Sequence, residues 1–414
     1  MKRVFIHPSS LHLANLGDVA MLEVALDRLR RRIPDACFEI LARHPRAVRT
    51  IRPDATWIPE ADRDFLLGAG LYPRALPQGP QRRLKARRPA LFLTLWMLKA
   101  RLLRGRYLGA LDLLHRLGRA DLFVLTGAGL IADPFRPAAI RALDTLALAL
   151  DRGVPGVLLG QGLGPLEEPE LRRRASEVLP RVDLIFVREA LHSVPLLASL
   201  GVRGERIVVT GDDALALAVS EPAREGRSAI GANLRLAPYS GISEALAAAV
   251  RRVLHAGARE LGAPLVGLPI GGGEPDDDLP VLRRLLDGAG SEAASGAPPL
   301  TPAEAISRVG LCRVVVTGSY HAAVFALGQG IPVVSIAGSD YYRFKFEGLA
   351  DLFPRGCRVV DAAEGEFEGD LAVALRRSWA DGPGIAAGLR AAAAARVASA
   401  EAAFDRISAL LCRH

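Results

Sequence analysis

Hydrophobic residues recur along the chain in two rhythms: short apolar runs of four to seven residues, and longer stretches with apolar positions every three or four residues. The first rhythm is that of strands buried on both faces, the second that of amphipathic helices. Their alternation predicts βα units building a mainly parallel sheet. Strands are predicted at Arg3–Ile6, Cys37–Leu41, Leu122–Leu125, Gly156–Leu159, Leu184–Val187 and Arg206–Val209. Helices at Asp18–Arg31, Arg136–Arg152, Pro169–Leu179 and Ala190–Leu200 separate them. A polar stretch without periodicity, Ser220–Ser228, marks a boundary. A second series follows, with strands at Ala229–Leu234, Leu265–Leu268, Val314–Thr317, Val333–Ile336 and Val359–Asp361. Asp287–Pro299, rich in Gly, Ser, Ala and Pro, reads as a flexible loop within it.

The expected fold class is α/β, with two doubly wound, Rossmann-like lobes. The first covers 1–221 with a basic helical insertion at about 61–118, and the second, 222–380, holds the donor site. From Ile385 to Leu411 apolar positions keep helix spacing, so 381–414 is expected to cross back onto the first lobe. Such a closed pair is the arrangement of GT-B glycosyltransferases. In these sheets ligands sit at the carboxyl ends of strands, so the loops after strands are where chemistry belongs.

Charge narrows the partners. The net charge is +8, yet residues Phe65 to Leu111 hold ten basic residues and no Asp or Glu, which more than accounts for the whole excess. In that segment, Arg74 to Arg106, basic clusters flank the apolar run Ala90–Met97 on a predicted helix. The pattern suits either a helix packed on the lobe with its arginines in water or contact with an anionic membrane surface through residues 74–106. It argues against nucleic acid, since no aromatic stacking platforms are interleaved. The run is eight residues long, against about 20 for a spanning helix. No signal-peptide core follows Val4–Ile6, so the expected location is cytoplasmic, with peripheral attachment at the inner membrane face as an option. Cys37, Cys312, Cys357 and Cys412 lie far apart and imply neither disulfides nor a zinc site.

Several loops carry candidate chemistry. Asn15, Gly17 and Asp18 follow the first strand where a helix begins, and they suit either a helix cap or a ligand contact. Gly127 and Gly129 lie in Thr126–Ala132, a G-x-G-x-x-A match to dinucleotide-binding turns. The match falls deep in the lobe and Asp151 sits at a helix end, so an anion at a helix N-terminus is the better reading. Arg188-Glu189, with Ser193 beyond, ends one strand, and Asp212-Asp213 follows another. Arg188 can grip a carboxylate or phosphate, or pair with a neighbour. Asp212 is either a cap or a cleft carboxylate, and nothing in this spacing calls for a metal. The richest site is Gly318-Ser319-Tyr320-His321 after Val314–Thr317, with Arg343 and Lys345 farther on. An imidazole, two cations and a helix N-terminus can converge on a phosphate-bearing substrate.

GT-B enzymes that use nucleotide sugars often carry Glu-Ala-x-x-x-Gly-x-Pro, the Glu gripping ribose. Here Phe325 takes the Glu position before Ala326, Gly330 and Pro332, so that grip is missing. Asn-x-Gly-Asp after the first strand, the Gly-rich turn near 127, Arg-Glu with Ser193, Asp near 212, and His321 with Ala-x-x-x-Gly-x-Pro and a later Lys occur in order from Asn15 to Lys345. Together they resemble the polysaccharide pyruvyltransferase family. The resemblance implies a transferase that moves a pyruvyl group from phosphoenolpyruvate onto two hydroxyls of a sugar in a polysaccharide or glycolipid. The product is a cyclic ketal, and phosphate is released without a further cofactor.

On that reading His321 is the acid/base and Asp18 its partner at the acceptor hydroxyl. Arg188, Lys345, Arg343, Ser319, Gly318, Gly127 and Gly129 form the donor site, and Asn15, Gly17 and Asp212 the acceptor site. Many members have Arg-x-His where this chain has Ser319-Tyr320-His321, so one anion-binding arginine is either absent or supplied from elsewhere, with Arg343 and Arg136 as the candidate sources. A lipid-linked acceptor would suit the basic segment. The competing readings are a GT-B glycosyltransferase using a nucleotide-sugar donor and a catalytically inactive glycan-binding homologue.

Overall fold

The computed structural model describes residues 1–68, 80, 84, 88–103, 107–221, 224–272, 277–288, 299, 301–363 and 365–413. The basic positions Arg74, Arg82, Arg83, Lys85, Arg87, Arg104 and Arg106, and most of the Asp287–Pro299 loop, lie outside them.

Two sheets, parallel at every pairing, form the two lobes. The first contains β1 (Arg3–His7), β2 (Cys37–Ala42), β3 (Thr56–Pro59), β4 (Leu122–Leu125), β5 (Gly156–Gln161), β6 (Leu184–Val187) and β7 (Ile207–Val209), in the order β3-β2-β1-β4-β5-β6-β7. The second contains β8 (Ala229–Asn233), β9 (Leu265–Gly267), β10 (Cys312–Thr317), β11 (Val333–Ala337) and β12 (Cys357–Asp361), ordered β12-β11-β10-β8-β9. The central strands are buried along their whole length, as continuous apolar runs must be when helices cover both faces. This is the doubly wound, two-lobed GT-B architecture expected from the sequence. Among the described residues the one strand not foreseen is β3, four residues ending in Pro59 at the edge of the sheet, where a missing amide is tolerated.

The lobes are joined at the base by shared core. Met21, Phe123 and Leu158 of the first belong to one apolar cluster with Val315, Phe325 and Phe346 of the second. Backbone also crosses: Leu16 N donates to Ile270 O (2.9 Å) and Gly272 N to Ala14 O (3.1 Å), so the loop after β1 is pinned to the opposite lobe. The helix Phe367–Leu411 starts ahead of the expected boundary at 381 and serves both lobes. Leu371 and Leu375 fill the second lobe's core, while Phe404, Ile407 and Leu411 fill the first lobe's. Pro383 lies within the helix between them, and the helix runs through it.

Candidate active site

In each sheet there is one place where the chain turns from building outward on one side to building outward on the other. In the first lobe it lies between β1 and β4, in the second between β8 and β10. Loops at such a point diverge and leave a crevice beyond the strand ends. Here the two crevices face each other across a cleft of about 390 Å³. The loop after β1 brings Asn15 and Asp18 to it, the loop after β4 Gly129, the loop after β8 Arg235, and the loop after β10 Ser319 and His321. Lys345 enters from the helix Asp340–Leu352.

Asn15 caps the helix Leu16–Arg32, its side-chain oxygen accepting from the amides of Gly17 (2.9 Å) and Asp18 (3.4 Å). That holds Asp18 in the first turn, facing the cleft. Gly17 lies against the second lobe: a Cβ there would overlap Cγ and Nδ1 of His321. Glycine at 17 is therefore what lets the imidazole reach across the lobe interface. His321 sits in the first turn of the helix Tyr320–Gly328, only 7% exposed. Its Nε2 is 3.8 Å from Asp212 Oδ2 and has no hydrogen-bond partner. Burial, reinforced by Arg188, Lys345 and Arg235, holds the imidazole well below its usual pKa, so it is neutral.

Arg188 and Asp212 stand behind this layer and are not among the residues lining the cleft. Arg188 Nε lies 2.9 Å from Asp212 Oδ2 and donates to Gly160 O at 2.8 Å, and its guanidinium packs 4.8 Å from the Tyr320 ring centre. Asp212 Oδ1 accepts from the Ala214 amide at 2.8 Å. The pair backs Tyr320 and His321, and it is not fully satisfied: Arg188 Nη1 and Asp212 Oδ2 are buried without a hydrogen-bond partner, and Arg188 also lines a smaller pocket beside Tyr320 and Lys345. Glu189 also turns inward, accepting from the amides of His192 and Ser193 at 2.8 and 2.9 Å.

Lys345 hangs over three aromatic rings, 4.9 Å from Tyr320, 4.6 Å from Tyr341 and 5.6 Å from Tyr342, and donates to Tyr341 Oη at 2.9 Å. Burial, then Arg188, bring its pKa down to about 7, against the pull of Asp18 and Asp212. Burial also raises Asp18 to about 6, although Arg188, Lys345 and Arg235 oppose it. Gly129 stays small because a Cβ there would come 2.5 Å from Tyr341 Oη and 3.1 Å from Lys345 Nζ.

Arg235 was not expected. It follows β8 directly, and its side chain is held by two contacts to Asp278: Nε to Oδ1 at 2.9 Å and Nη2 to Oδ2 at 3.2 Å. Asp278 also accepts from the amides of Ile270 and Gly271, at 2.9 and 2.8 Å, the segment that meets Ala14–Leu16. A buried arginine so held is a fixed cation in the cleft lining. The signal available in sequence was its position, two residues beyond a strand's end.

The candidate sources of the missing arginine's charge lie elsewhere. Arg343 pairs with Asp340 and Asp361, both at 2.8 Å, and Arg136 sits 3.5 Å from Glu168, so neither joins the cleft lining. Gly127 packs against Gly160 and Met21, and Gly318 donates its amide to Asn233 O at 3.0 Å; both shape turns without lining the cleft. At the outer end are Arg43, Glu60, Arg63 and Arg141, with Phe135 and Tyr239 in edge contact at 5.0 Å. Among the described residues no His, Cys, Asp and Glu cluster suited to a metal ion occurs.

The sequence pattern of the polysaccharide pyruvyl transferase family matches residues 15–340, from the helix cap at Asn15 through the loop holding His321. The chain belongs to that family. It is accordingly a transferase of polysaccharide pyruvylation, acting on a sugar or glycan acceptor. No curated protein sequence matches the chain. Among solved structures, a putative UDP-N-acetylglucosamine 2-epimerase from Listeria monocytogenes aligns with TM-score 0.57 and 12% identity over 98% of both chains. Anabaena HepE, in complex with UDP and glucose, aligns with TM-score 0.55 and 13% identity over 100% of both. The UDP-GlcNAc 2-epimerase of Neisseria meningitidis, bound to UDP-GlcNAc, gives 0.53 and 12%, over 99% of this chain and 100% of that one. At these identities the likeness is one of fold.

Proposed function

We propose that this pyruvyl transferase takes phosphoenolpyruvate as donor and joins its C2 to two sugar hydroxyls in the cleft between the lobes. The observation that carries the reading is a small positive well: Arg235 and Lys345, with Arg188 behind them, surround a neutral His321 whose Nε2 is unpartnered, and Asp18 faces them. Phosphoenolpyruvate combines a carboxylate and a phosphate in few atoms, which is what clustered cations at a helix N-terminus stabilise. Phe325, fully buried, offers nothing to a nucleotide's ribose, which supports a small anionic donor over a nucleotide sugar.

The balance of the reaction sets what the residues must do. The methylene carbon gains a proton and becomes a methyl group, two hydroxyls lose one proton each, and phosphate leaves carrying the other. Two C–O bonds form at C2 while the C–O bond to phosphate breaks. Asp18, raised to about 6, is poised to take a hydroxyl proton near neutral pH. Burial first, then the neighbouring cations, holds His321 neutral while the well is empty; the donor's negative charge opposes the cations' share, and His321 is the group placed to pass a proton to the methylene carbon. Arg235 and Lys345 hold the carboxylate and phosphate. Asp212 and Arg188 keep Tyr320 and His321 in place.

The test is release of inorganic phosphate from phosphoenolpyruvate with glycan or glycolipid acceptors, with thermal shifts by phosphoenolpyruvate and by UDP. Acceptor-dependent release is expected, lost about 10²- to 10⁴-fold in His321→Gln and Asp18→Asn. Stabilisation by UDP alone, with no acceptor-dependent phosphate, would overturn the donor assignment.

A further inference from the structure

The helix Pro89–Leu103 packs one side into the first lobe, and among the described residues nothing covers a row of leucines on it. Phe92 and Trp96 point inward, Trp96 only 1% exposed in the shared core. On the opposite side Leu91, Leu95, Leu98 and Leu102 are 43%, 40%, 56% and 75% exposed. Their spacing of four, three and four residues puts them in one line along the helix. Leu108, 59% exposed, opens the next helix, Leu108–Arg119. Single exposed leucines are ordinary, but a row of them on one face of a helix is a contact surface.

Two occupants fit an apolar stripe, and the charge of the sequence segment that carries it separates them. The residues from Phe65 to Leu111 contribute ten positive charges and no negative one, with Arg88 exposed at the start of the stripe. A second copy would bring an equal concentration of positive charge against the first. An anionic lipid surface takes the leucines into its acyl boundary and meets the basic residues with its headgroups. No described helix is long and apolar enough to cross a membrane, so this contact would lie on the surface.

We infer that the face Leu91–Leu95–Leu98–Leu102 docks the enzyme on an anionic lipid surface. The placement suits the cleft. The helix Leu108–Arg119 packs on Pro89–Leu103 and on Glu60–Gly68, whose Glu60 and Arg63 line the cleft's outer end. Docking would therefore set that end near the lipid. The inference stands apart from the donor assignment, and each can fail alone.

The test is sedimentation of the full chain with vesicles of phosphatidylcholine alone or mixed with phosphatidylglycerol, at low and high salt. Retention is expected only on the mixed vesicles and is expected to weaken with salt. Leu95→Ser/Leu98→Ser/Leu102→Ser, all at exposed positions, should lower it at least about tenfold while leaving phosphate release from a soluble acceptor unchanged. Retention that ignores the leucines, or none at all, overturns the inference. So does a dimer in solution that the same substitutions dissociate, which would make a second copy the occupant.

Discussion

The imidazole of His321 on the second lobe rests against the Cα of Gly17 on the first, one residue before Asp18. Whatever fixes the distance between the lobes at this point also fixes the distance between the two groups proposed to handle protons. Gly17→Ala must push the imidazole away or part the lobes. The expected outcome is a loss of about 1–3 kcal/mol in stability by chemical denaturation. Turnover should fall more than donor affinity, because Arg235 and Lys345 are untouched. An alanine variant with full turnover would show that the contact is incidental.

Lys345 makes donor binding sensitive to pH. With its pKa near 7 in the empty cleft, part of the population must gain a proton to meet an anion. The bound donor raises that pKa, so binding takes up protons, and affinity weakens as pH climbs above about 7, by up to about tenfold per unit. Calorimetry in two buffers of different ionisation enthalpy reads the uptake. Lys345→Arg stays charged and should flatten the dependence while keeping affinity. Equal heats in both buffers would refute this.

Arg235 is held as a rigid fork by Asp278, and removing either partner leaves the other buried and unpaired. Asp278→Ala should cost about 3–5 kcal/mol of stability and also loosen the contact between Ile270–Gly272 and Ala14–Leu16. Arg235→Lys keeps the charge but loses the two-point grip. The KM for donor should rise several-fold with a smaller change in kcat, and an unchanged KM would remove Arg235 from the donor site.

Arg28 and Asp213 form a buried pair at 2.5 Å away from the cleft lining, with Arg28 also reaching Glu401 at 2.8 Å on the C-terminal helix. Arg28→Met strands Asp213 and should destabilise by about 3–5 kcal/mol, whereas Arg28→Met with Asp213→Leu should recover most of that. Denaturant midpoints distinguish the outcomes, and a double variant no better than the single would contradict the pairing.

Much of the architecture was legible because strands buried on both faces leave an unmistakable mark. Val314–Thr317 or Leu122–Leu125 can hardly be anything else once helices flank them. The loop positions Asp18, Ser319, His321 and Lys345 followed from the same logic, since strand ends face the crevice. What could not be read was which charged residue pairs with which. Arg188 and Asp212 were visible as charges, but only the packing of β6 beside β7 joins them and turns them inward. Arg235 escaped notice because Asn-Leu-Arg carries no motif; its role comes from Asp278, more than forty residues away in the chain. The leucine row was equally hidden, because an apolar run does not say which of its faces another helix will cover.

The helix Phe367–Leu411 has a consequence for how the molecule is made. Phe404, Ile407 and Leu411 sit among Val4, Ile6 and Leu22, so a helix made late in the chain completes the core of a lobe whose strands are made early. Until this helix is made, the first sheet carries an open apolar seam, and the second lobe can close before the first is sealed. Birth order and folding order thus run in opposite directions, and a chain cut before this helix would leave the older half unfinished.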